Sequence, residues 1–564
     1  MIFPFPANTN SSEAGAPRPG GENSMSKRII SVFCVIILMM TGTIYRIYYI
    51  NMSDYLTTAA SVQGQYFLDV AASRGGIYDR SLRPLVNRTN TYIASVLPTP
   101  MTATVLMEHT PEEEREAMVE RLSAAKPFLL PVEDINLYAD GIDVFRVPVR
   151  YGEGQLAPHL IGYLGGDGIS GVAGVEKAFD EFLKEQGSRI RTVYQTDAAG
   201  HALQGGMVTI RRTGEEDGRG GVVLSLDADI QRIAEEALAS GCGAGAAVVL
   251  EVATGDILAM ASLPGFDQSD LAASLDSEDA PFINRGISGY NIGSVFKLVV
   301  SAAALESGYS RYFPYECRGY VDVDGQIFRC NNHAVHGALD MQRALQVSCN
   351  CYFINLAQEM DYPYLLALCE HLGLGSAAEL APGLSTQSGN LPAAAELRNP
   401  AGLANFAFGQ GSSLATPLQM AQIVATIAGG GAMVTPRLVL GTTEDGRTIS
   451  DPVASYAANQ VLSERTAATL REMMISVVEE GSGKPARPIA GSAGGKTSSA
   501  QTGRMEAGED GEEAEIVHAW FAGFFPAQAP RYSVVVFCEG GESGERTAAP
   551  IFKKIADGVA ALKM

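Results

Sequence analysis

Residues 298–305, Leu-Val-Val-Ser-Ala-Ala-Ala-Leu, leave no polar face on a helix in any orientation, and such a helix has to be wrapped by the rest of the fold. The stretch before it, Asn291-Ile292-Gly293-Ser294-Val295-Phe296-Lys297, predicts how that helix begins. Gly293 permits a tight turn, and Ser294 opens the first helical turn. The chain is therefore organised around a buried helix that carries Lys297 inside with it. The i, i+3 spacing places Ser294 and Lys297 on one face, and burial penalises the charged amine. A neutral Lys297 could then take the proton of the Ser294 hydroxyl. A serine activated in this way at a helix N-terminus also has backbone N–H groups beside it that can face a developing oxyanion.

Alone, Ser-x-x-Lys is a weak pattern. Ser24-Met25-Ser26-Lys27 repeats it in a polar N-terminal stretch, and a serine N-cap with a lysine nearby is the plain alternative for Ser294. The decision falls to the remainder of the chain.

With 564 residues the protein can bury a large core in two or three domains. Hydrophobic residues make up 46% of it, as in a globular protein, and a net charge of -22 argues against a nucleic-acid partner. Eight cysteines are too sparse for a disulfide scaffold, although Cys317 and Cys330 lie close enough in sequence to pair in an oxidising compartment.

Lys27 and Arg28 precede residues 29–45, which are uncharged and mostly apolar, and beyond Arg46 come Ile47-Tyr48-Tyr49-Ile50. With Arg46 snorkelling to the interface, residues 29–50 supply about the 20 positions a membrane-spanning helix needs. The basic pair predicts a single pass with residues 1–28, a disordered tail rich in Pro, Gly, Asn and Ser, in the cytoplasm and everything later outside. A cleaved signal peptide is the alternative. Its best small-residue site, Thr58-Ala59-Ala60, lies well downstream, so an uncleaved anchor is expected.

After the anchor, residues 52–69 are expected to continue as a helix. Arg74-Gly75-Gly76-Ile77-Tyr78-Asp79-Arg80 reads as a turn and strand, and Gly171-Val172-Ala173-Gly174-Val175-Glu176 precedes an amphipathic helix over 177–186. No nucleophile, metal cluster or phosphate loop stands out in this span, which suits a spacer or docking domain. The charged, Gly-rich residues 211–221 mark a boundary. Beyond it come a strand over 222–226, a helix capped by Asp227, and a hairpin of 246–252 with 256–261 around Ala253-Thr254-Gly255. Helices are expected over 339–347, 417–427 and 550–562, and strands over 517–524 and 532–538. The acidic residues 506–515 read as a solvated hairpin tip. Strands at both ends of this region with helices between predict a sheet assembled from distant parts of the chain.

Three elements occur in order: Ser294-x-x-Lys297, Ser348-x-Asn350 and Lys496-Thr497-Ser498. Order, spacing and context select Ser348-Cys349-Asn350 over the decoy Ser388-Gly389-Asn390. The set resembles the motifs of penicillin-binding proteins and serine β-lactamases. Residues 248–264, 409–420 and 520–530 resemble the framework of class B penicillin-binding proteins, the membrane-anchored transpeptidases of cell-wall synthesis. Residues 74–80 and 171–176 are similar to that family's pedestal, or dimerisation, domain. The resemblance implies an α/β (α+β) fold with a central antiparallel sheet covered by helices. A pedestal over 51–215 would precede a transpeptidase domain over 216–564. No glycosyltransferase domain of the class A kind is expected ahead of it.

Carried over by position, the resemblance implies that Ser294 attacks the penultimate D-Ala carbonyl of a stem peptide ending D-Ala-D-Ala, with Lys297 as its base. Ser348 would relay a proton to the leaving amine, and Asn350 would hydrogen-bond the substrate amide. Lys496 and Thr497 on an edge strand would hold the terminal carboxylate, with Ser498 beside them. The backbone N–H groups of Ser294 and Ser499 would form the oxyanion hole. It implies β-lactam antibiotics as acylating ligands, a polytopic glycosyltransferase as partner, and neither cofactor nor metal. Two departures stand out: Ser498 replaces the family's usual Gly and is expected to crowd the substrate strand, and Ile292 replaces a usual Pro.

A metal reading built from His333, His336, Cys349 and Cys351 lacks standard zinc spacing and is set aside, the cysteines being expected as small buried hydrophobes. A D,D-carboxypeptidase or β-lactamase would use the same acylation groups and admit water; the long pedestal and anchor favour transpeptidation, since a hydrolase of freely diffusing drug needs neither. A β-lactam sensor or an idle scaffold for a glycosyltransferase is the alternative of another class. Intact Ser294, Lys297 and Lys496 speak against the scaffold, and the lack of a recognisable signalling domain ahead of the anchor speaks against the sensor.

Overall fold

The structure is a computed structural model that describes residues 22–52, 64–133, 137–197, 199, 201, 203, 208–214, 219–454, 457–507 and 513–562. Helix α1 (Glu22–Met52) contains the exposed apolar stretch Met25–Met52, long and apolar enough to cross a membrane. It starts inside the segment expected to be a disordered tail; residues 1–21 lie outside the described residues. Of the helix expected over 52–69, residues 53–63 also lie outside them, and the far end is extended instead. Gln65–Ala72 is a strand, antiparallel to Arg189–Gln195, with Asp69 ion-paired to Arg191 at 2.7 Å. That partner lies more than a hundred residues away, so tertiary pairing overrides the local pattern.

Thr89–Val96 is flanked by Phe128–Val132 and Ile142–Val149 in a second three-stranded sheet, with a small core of its own around Ala94, Val96, Leu106, Met118 and Ile142. The amphipathic helix expected over 177–186 is broken in two, Gly174–Ala178 and Asp180–Glu185, at Phe179, whose ψ is 29°. Asp180, the first residue of the second segment, accepts hydrogen bonds from Arg74 Nη1 and Gly171 N as well as from Lys184 Nζ within its own segment. The two motifs singled out in this half of the sequence meet each other. Arg74 Nε and Arg150 Nε donate to the two oxygens of Glu176 at 3.1 and 2.7 Å, and Arg74 and Glu176 are buried. Gly76–Tyr78 then crosses the expected boundary to pair in parallel with Gly221–Leu224, itself paired with Val439–Thr443.

The second half is built on a five-stranded antiparallel sheet. Its strands are β1 (Gly245–Glu251), β2 (Ile257–Leu263), β3 (Gly494–Ala507), β4 (Glu513–Phe525) and β5 (Tyr532–Cys538), in spatial order β2-β1-β5-β4-β3. The expected acidic tip joins β3 to β4, and residues 508–512 lie outside the described residues. Alternate residues face opposite layers, and where both faces are buried, as in β1, β2 and β5, the strands read as hydrophobic runs. Ala247, Val249, Phe521 and Val536 pack under α2 (Ala228–Ala239), which Asp227 caps, and the closing C-terminal helix. Val248, Leu250, Trp520 and Phe537 face the other way, towards α3 (Lys297–Glu306) and α4 (Pro417–Ala428). All twelve residues of α4 are buried, and its start carries a capping box between Thr416 and Gln419.

Candidate active site

The approach to Ser294 is held from three strands or loops at once. Trp520 Nε1 donates to the Asn291 carbonyl at 3.0 Å, Ser498 Oγ donates to the Ile292 carbonyl at 3.0 Å, and Gly293 N donates to the Gly409 carbonyl at 2.9 Å. Gly293 has φ +61°, and a Cβ on it would sit 2.4 Å from Ser498 Oγ. This bracing makes residues Gly293–Phe296 a 3₁₀ turn, so regular α-helix begins at Lys297, three residues later than expected. Ile292 is fully buried there, doing with packing what a proline would do with its ring.

Lys297 is fully buried, as predicted, but its amine points elsewhere than the spacing implied. Nζ donates to Asn350 Oδ1 at 2.6 Å, to the Ser348 carbonyl at 2.8 Å and to Ser348 Oγ at 3.3 Å, and no hydrogen bond to Ser294 is among its contacts. Three oxygens converge at the start of α5 (Asn350–Glu359), and the long side chain reaches across to them. Burial pulls the amine down to about 8, against a weaker opposing pull from Cys349, Cys330 and Cys351.

Lys496, expected to reach a substrate carboxylate from the edge strand, is also fully buried. Its Nζ donates to Ser348 Oγ at 3.0 Å and to the Thr497 carbonyl at 2.8 Å. Burial, reinforced by the neighbouring Lys297, holds its amine well below the ordinary lysine range. Ser348 thus sits between two amines, in a left-handed backbone conformation with φ +54°. Thr497 Oγ1 hydrogen-bonds Ser482 Oγ at 2.8 Å, and Ser499 Oγ accepts from Gly544 N at 3.2 Å. Ser498, expected to crowd the substrate strand, is buried with its hydroxyl turned to the Ile292 carbonyl, and it still lines the cavity.

Ser294, Ser348, Asn350, Thr497, Ser498 and Ser499 line one cavity of about 830 Å³, with Lys297 and Lys496 buried against it. The decoy residues Ser388 and Asn390 lie outside it. A second cavity of about 850 Å³, beside Tyr151, Glu235 and Phe266, brings together none of the predicted groups. Sequence reasoning missed Ser482, Gln410, Arg546 and the wall formed by 329–333. Ser482 stands between Gly481 and Gly483, a signal that identifies a turn but not what it faces.

The expected pairing of Cys317 with Cys330 is not formed; both are free and buried. Their sulfurs instead face His336 Nδ1, at 3.6 and 3.5 Å, and Cys330 Sγ lies 3.6 Å from Cys349 Sγ. Of the residues weighed and set aside as a metal reading, His336 and Cys349 come together with Cys317 and Cys330, the Cys351 thiol lies beside Cys330 and Cys349, and His333 is not part of the cluster.

Comparison with known proteins agrees with this geometry. The profile of the penicillin binding protein transpeptidase domain matches residues 245–557, more than half of the chain. Stage V sporulation protein D of Bacillus subtilis is 30% identical over 439 residues, covering 74% of this chain and 64% of that protein, so this chain spans less than two thirds of that relative. Peptidoglycan D,D-transpeptidase MrdA of Acinetobacter baumannii is 26% identical over 588 residues, 93% of this chain and 85% of that one. Among solved structures, a chain from work on the structural coordination of polymerization and crosslinking by a peptidoglycan synthase complex superposes with a TM-score of 0.65. It is 26% identical, with 96% of this chain and 99% of that one covered.

Proposed function

This chain belongs to the class B penicillin-binding proteins, and from that premise we propose that it is a membrane-anchored serine D,D-transpeptidase that cross-links peptidoglycan stem peptides. The observation that carries the reading is the meeting of all three motifs at Ser348, which accepts from both Lys297 and Lys496 beside a cavity that Ser294 lines.

Neutral Lys297 takes the Ser294 proton as Ser294 Oγ attacks the penultimate D-Ala carbonyl of a peptide ending D-Ala-D-Ala. The N–H groups of Ser294 and Ser499 receive the oxyanion. Ser348, bonded to both amines, passes a proton to the departing D-Ala nitrogen, and the acyl group stays on Ser294. An amine from a neighbouring strand then takes the acyl group and forms the cross-link. Asn350 has its carbonyl oxygen engaged by Lys297, which leaves its amide N–H groups for the substrate backbone. Buried Lys496 supplies positive potential from below as the carboxylate arrives and its amine regains a proton, while the Thr497 and Ser499 hydroxyls make the direct contacts. β-Lactams acylate Ser294 by the same route.

Residues 29–50 anchor the protein with its N-terminus in the cytoplasm, 51–215 form a pedestal and 216–564 the catalytic domain, outside the membrane. A polytopic glycosyltransferase supplies the polymer. A fluorescent penicillin should label the wild type covalently and fail on Ser294→Ala; label persisting on that variant would remove the mechanism. Release of D-Ala without any cross-linked product in the presence of an acceptor amine would identify a carboxypeptidase instead.

A further inference from the structure

We propose that the cavity beside Tyr151, Glu235 and Phe266, which shares no lining residue with the catalytic cleft, is a binding site for an organic cation: an ammonium, guanidinium or amidinium group on an apolar body. The proposal goes beyond the transpeptidase reading and does not need it. The cavity holds about 850 Å³, within the roughly 300–1,000 Å³ of small-molecule sites. Its walls come from both halves of the chain, residues 151–158 from the first and the end of α2 with residues between 262 and 274 from the second. They are tied across the divide, because Ala157 N donates to Glu235 Oε1 at 2.7 Å and Gln268 Nε2 donates to the Gly162 carbonyl.

The charge of this lining is one-sided. Glu153, Glu235, Glu236 and Asp267 contribute to it, and no Lys, Arg or His does. Among the described residues these carboxylates form no cluster of metal-ligand spacing, so the charge they suit is the spread-out charge of an organic group. Glu235 is the anchor. Gln231 Nε2 at 2.8 Å and Ala157 N at 2.7 Å both donate to its Oε1, and its Oε2 has no donor among the described residues. Burial raises the Glu235 carboxyl above its ordinary value, which the two hydrogen bonds and Arg232 offset only in part. A cation brought to Oε2 would relieve the remainder.

Two unpartnered acceptors belong to the same walls. Gln268 lines the cavity, is only 7% exposed, and has a buried Oε1 that meets no donor among the described residues. Gln155 lines it too, and its Oε1 is buried in the same state. Neither amide can be turned to cure this. Gln155 Nε2 donates to the Leu85 and Leu156 carbonyls at 2.9 and 3.1 Å, and Gln268 Nε2 donates to the Gly162 carbonyl, so exchanging N for O would set oxygen against oxygen. A buried acceptor without a donor is costly, and a ligand rich in N–H groups supplies what both glutamines and Glu235 lack. Its carbon body would be met by Pro158, Leu263 and Phe266. Phe266 is held in place by edge contacts with His159 at 5.1 Å and Tyr163 at 5.7 Å. An aromatic ring beside carboxylates favours a cation further.

The test uses the full chain in detergent and benzamidinium as the probe, with benzamide as its neutral isostere and benzoate as its anionic one, each followed by calorimetric titration and thermal unfolding. Benzamidinium should bind at one site, at least about tenfold more tightly than benzamide, and raise the unfolding temperature, while benzoate should not bind. Glu235→Gln should weaken benzamidinium by at least about tenfold and leave penicillin acylation unchanged. Protein already acylated by penicillin should bind the probe as before. Equal affinity for benzamidinium and benzamide would overturn the proposal, as would no binding of benzamidinium at all or wild-type affinity in folded Glu235→Gln. Loss of binding on acylation would overturn it too, by moving the probe to the catalytic cleft. The three probes on the wild type decide the matter even if the variant does not fold, and none of these readouts depends on the reaction the enzyme performs.

Discussion

Two groups of buried charge-bearing side chains can be set side by side. In the N-terminal half, Glu176 is enclosed with Arg74 and Arg150, each oxygen answered by a guanidinium, and Tyr151 adds a hydrogen bond at 3.0 Å. In the candidate active site, Lys297 and Lys496 are as deeply buried, yet their partners are hydroxyl, carbonyl and amide oxygens with no carboxylate among them. Burial with counter-ions fixes a structure and leaves the charges in place. Burial without them pushes the charge off, and a lysine that has shed its proton is a base. The same physical penalty is thus offset in one region and left standing in the other.

The sharpest way to break that contrast is Lys297→Met. Acylation by penicillin should fall by about 10²–10⁴, while stability should drop by no more than about 1–3 kcal/mol, since only an acceptor such as Asn350 Oδ1 is left unpartnered and no ion is stranded. A large loss of stability with acylation intact would invert the two roles. Arg74→Met is the mirror experiment. It leaves Glu176 with one guanidinium and should cost about 3 kcal/mol in denaturant unfolding, with the acylation rate of the folded protein unchanged.

A smaller effect is read with pH. As the proposed base, Lys297 must be neutral, and its amine is held at about 8, facing Lys496 and the thiols of Cys349, Cys330 and Cys351. The acylation rate should therefore climb about tenfold per pH unit towards 8 and level off above it. A plateau already reached at pH 6 would mean that another group is the base. The smallest change is expected from Ser498→Gly, which removes one hydrogen bond to the Ile292 carbonyl and should cost about 1 kcal/mol. Acylation should shift less than tenfold, and a larger gain would mean that the serine does obstruct the substrate strand after all.

The range of each interaction decides how far the sequence could be read. The strands β1, β2 and β5 were legible because a sheet buried on both faces writes continuous apolar runs into the chain. Helix α2 was legible from Asp227, whose side chain accepts from the N–H groups of Asp229 and Ile230. The strand Gln65–Ala72 was not, because its identity comes from a partner at 189–195. The break at Phe179 escaped as well, and the Asp180 beside it is held by Arg74 and Gly171 from outside its own segment. At the site, order and spacing picked out Ser294, Lys297, Ser348, Asn350, Lys496 and Thr497, which the fold gathers at one cavity, but the partners of Lys297 could not be read. An i, i+3 argument sees only its own helix, and the oxygens that bind the amine arrive from another. The cysteines failed in the same way: proximity in sequence suggested Cys317 with Cys330, whereas folding gathers both around His336 and Cys349.

Among the described residues, no strand pairs with the outer border of β3, whose Thr497, Ser498, Ser499 and Gln501 line the cleft. A guest peptide can complete the sheet there by lying alongside as one more rung, recognised through its main chain and its end. Recognition of that kind is indifferent to most side chains, so extended peptides of varied composition can fit the same edge. The same vacant rung is open to other extended segments as well, which is the general liability of an uncovered sheet edge.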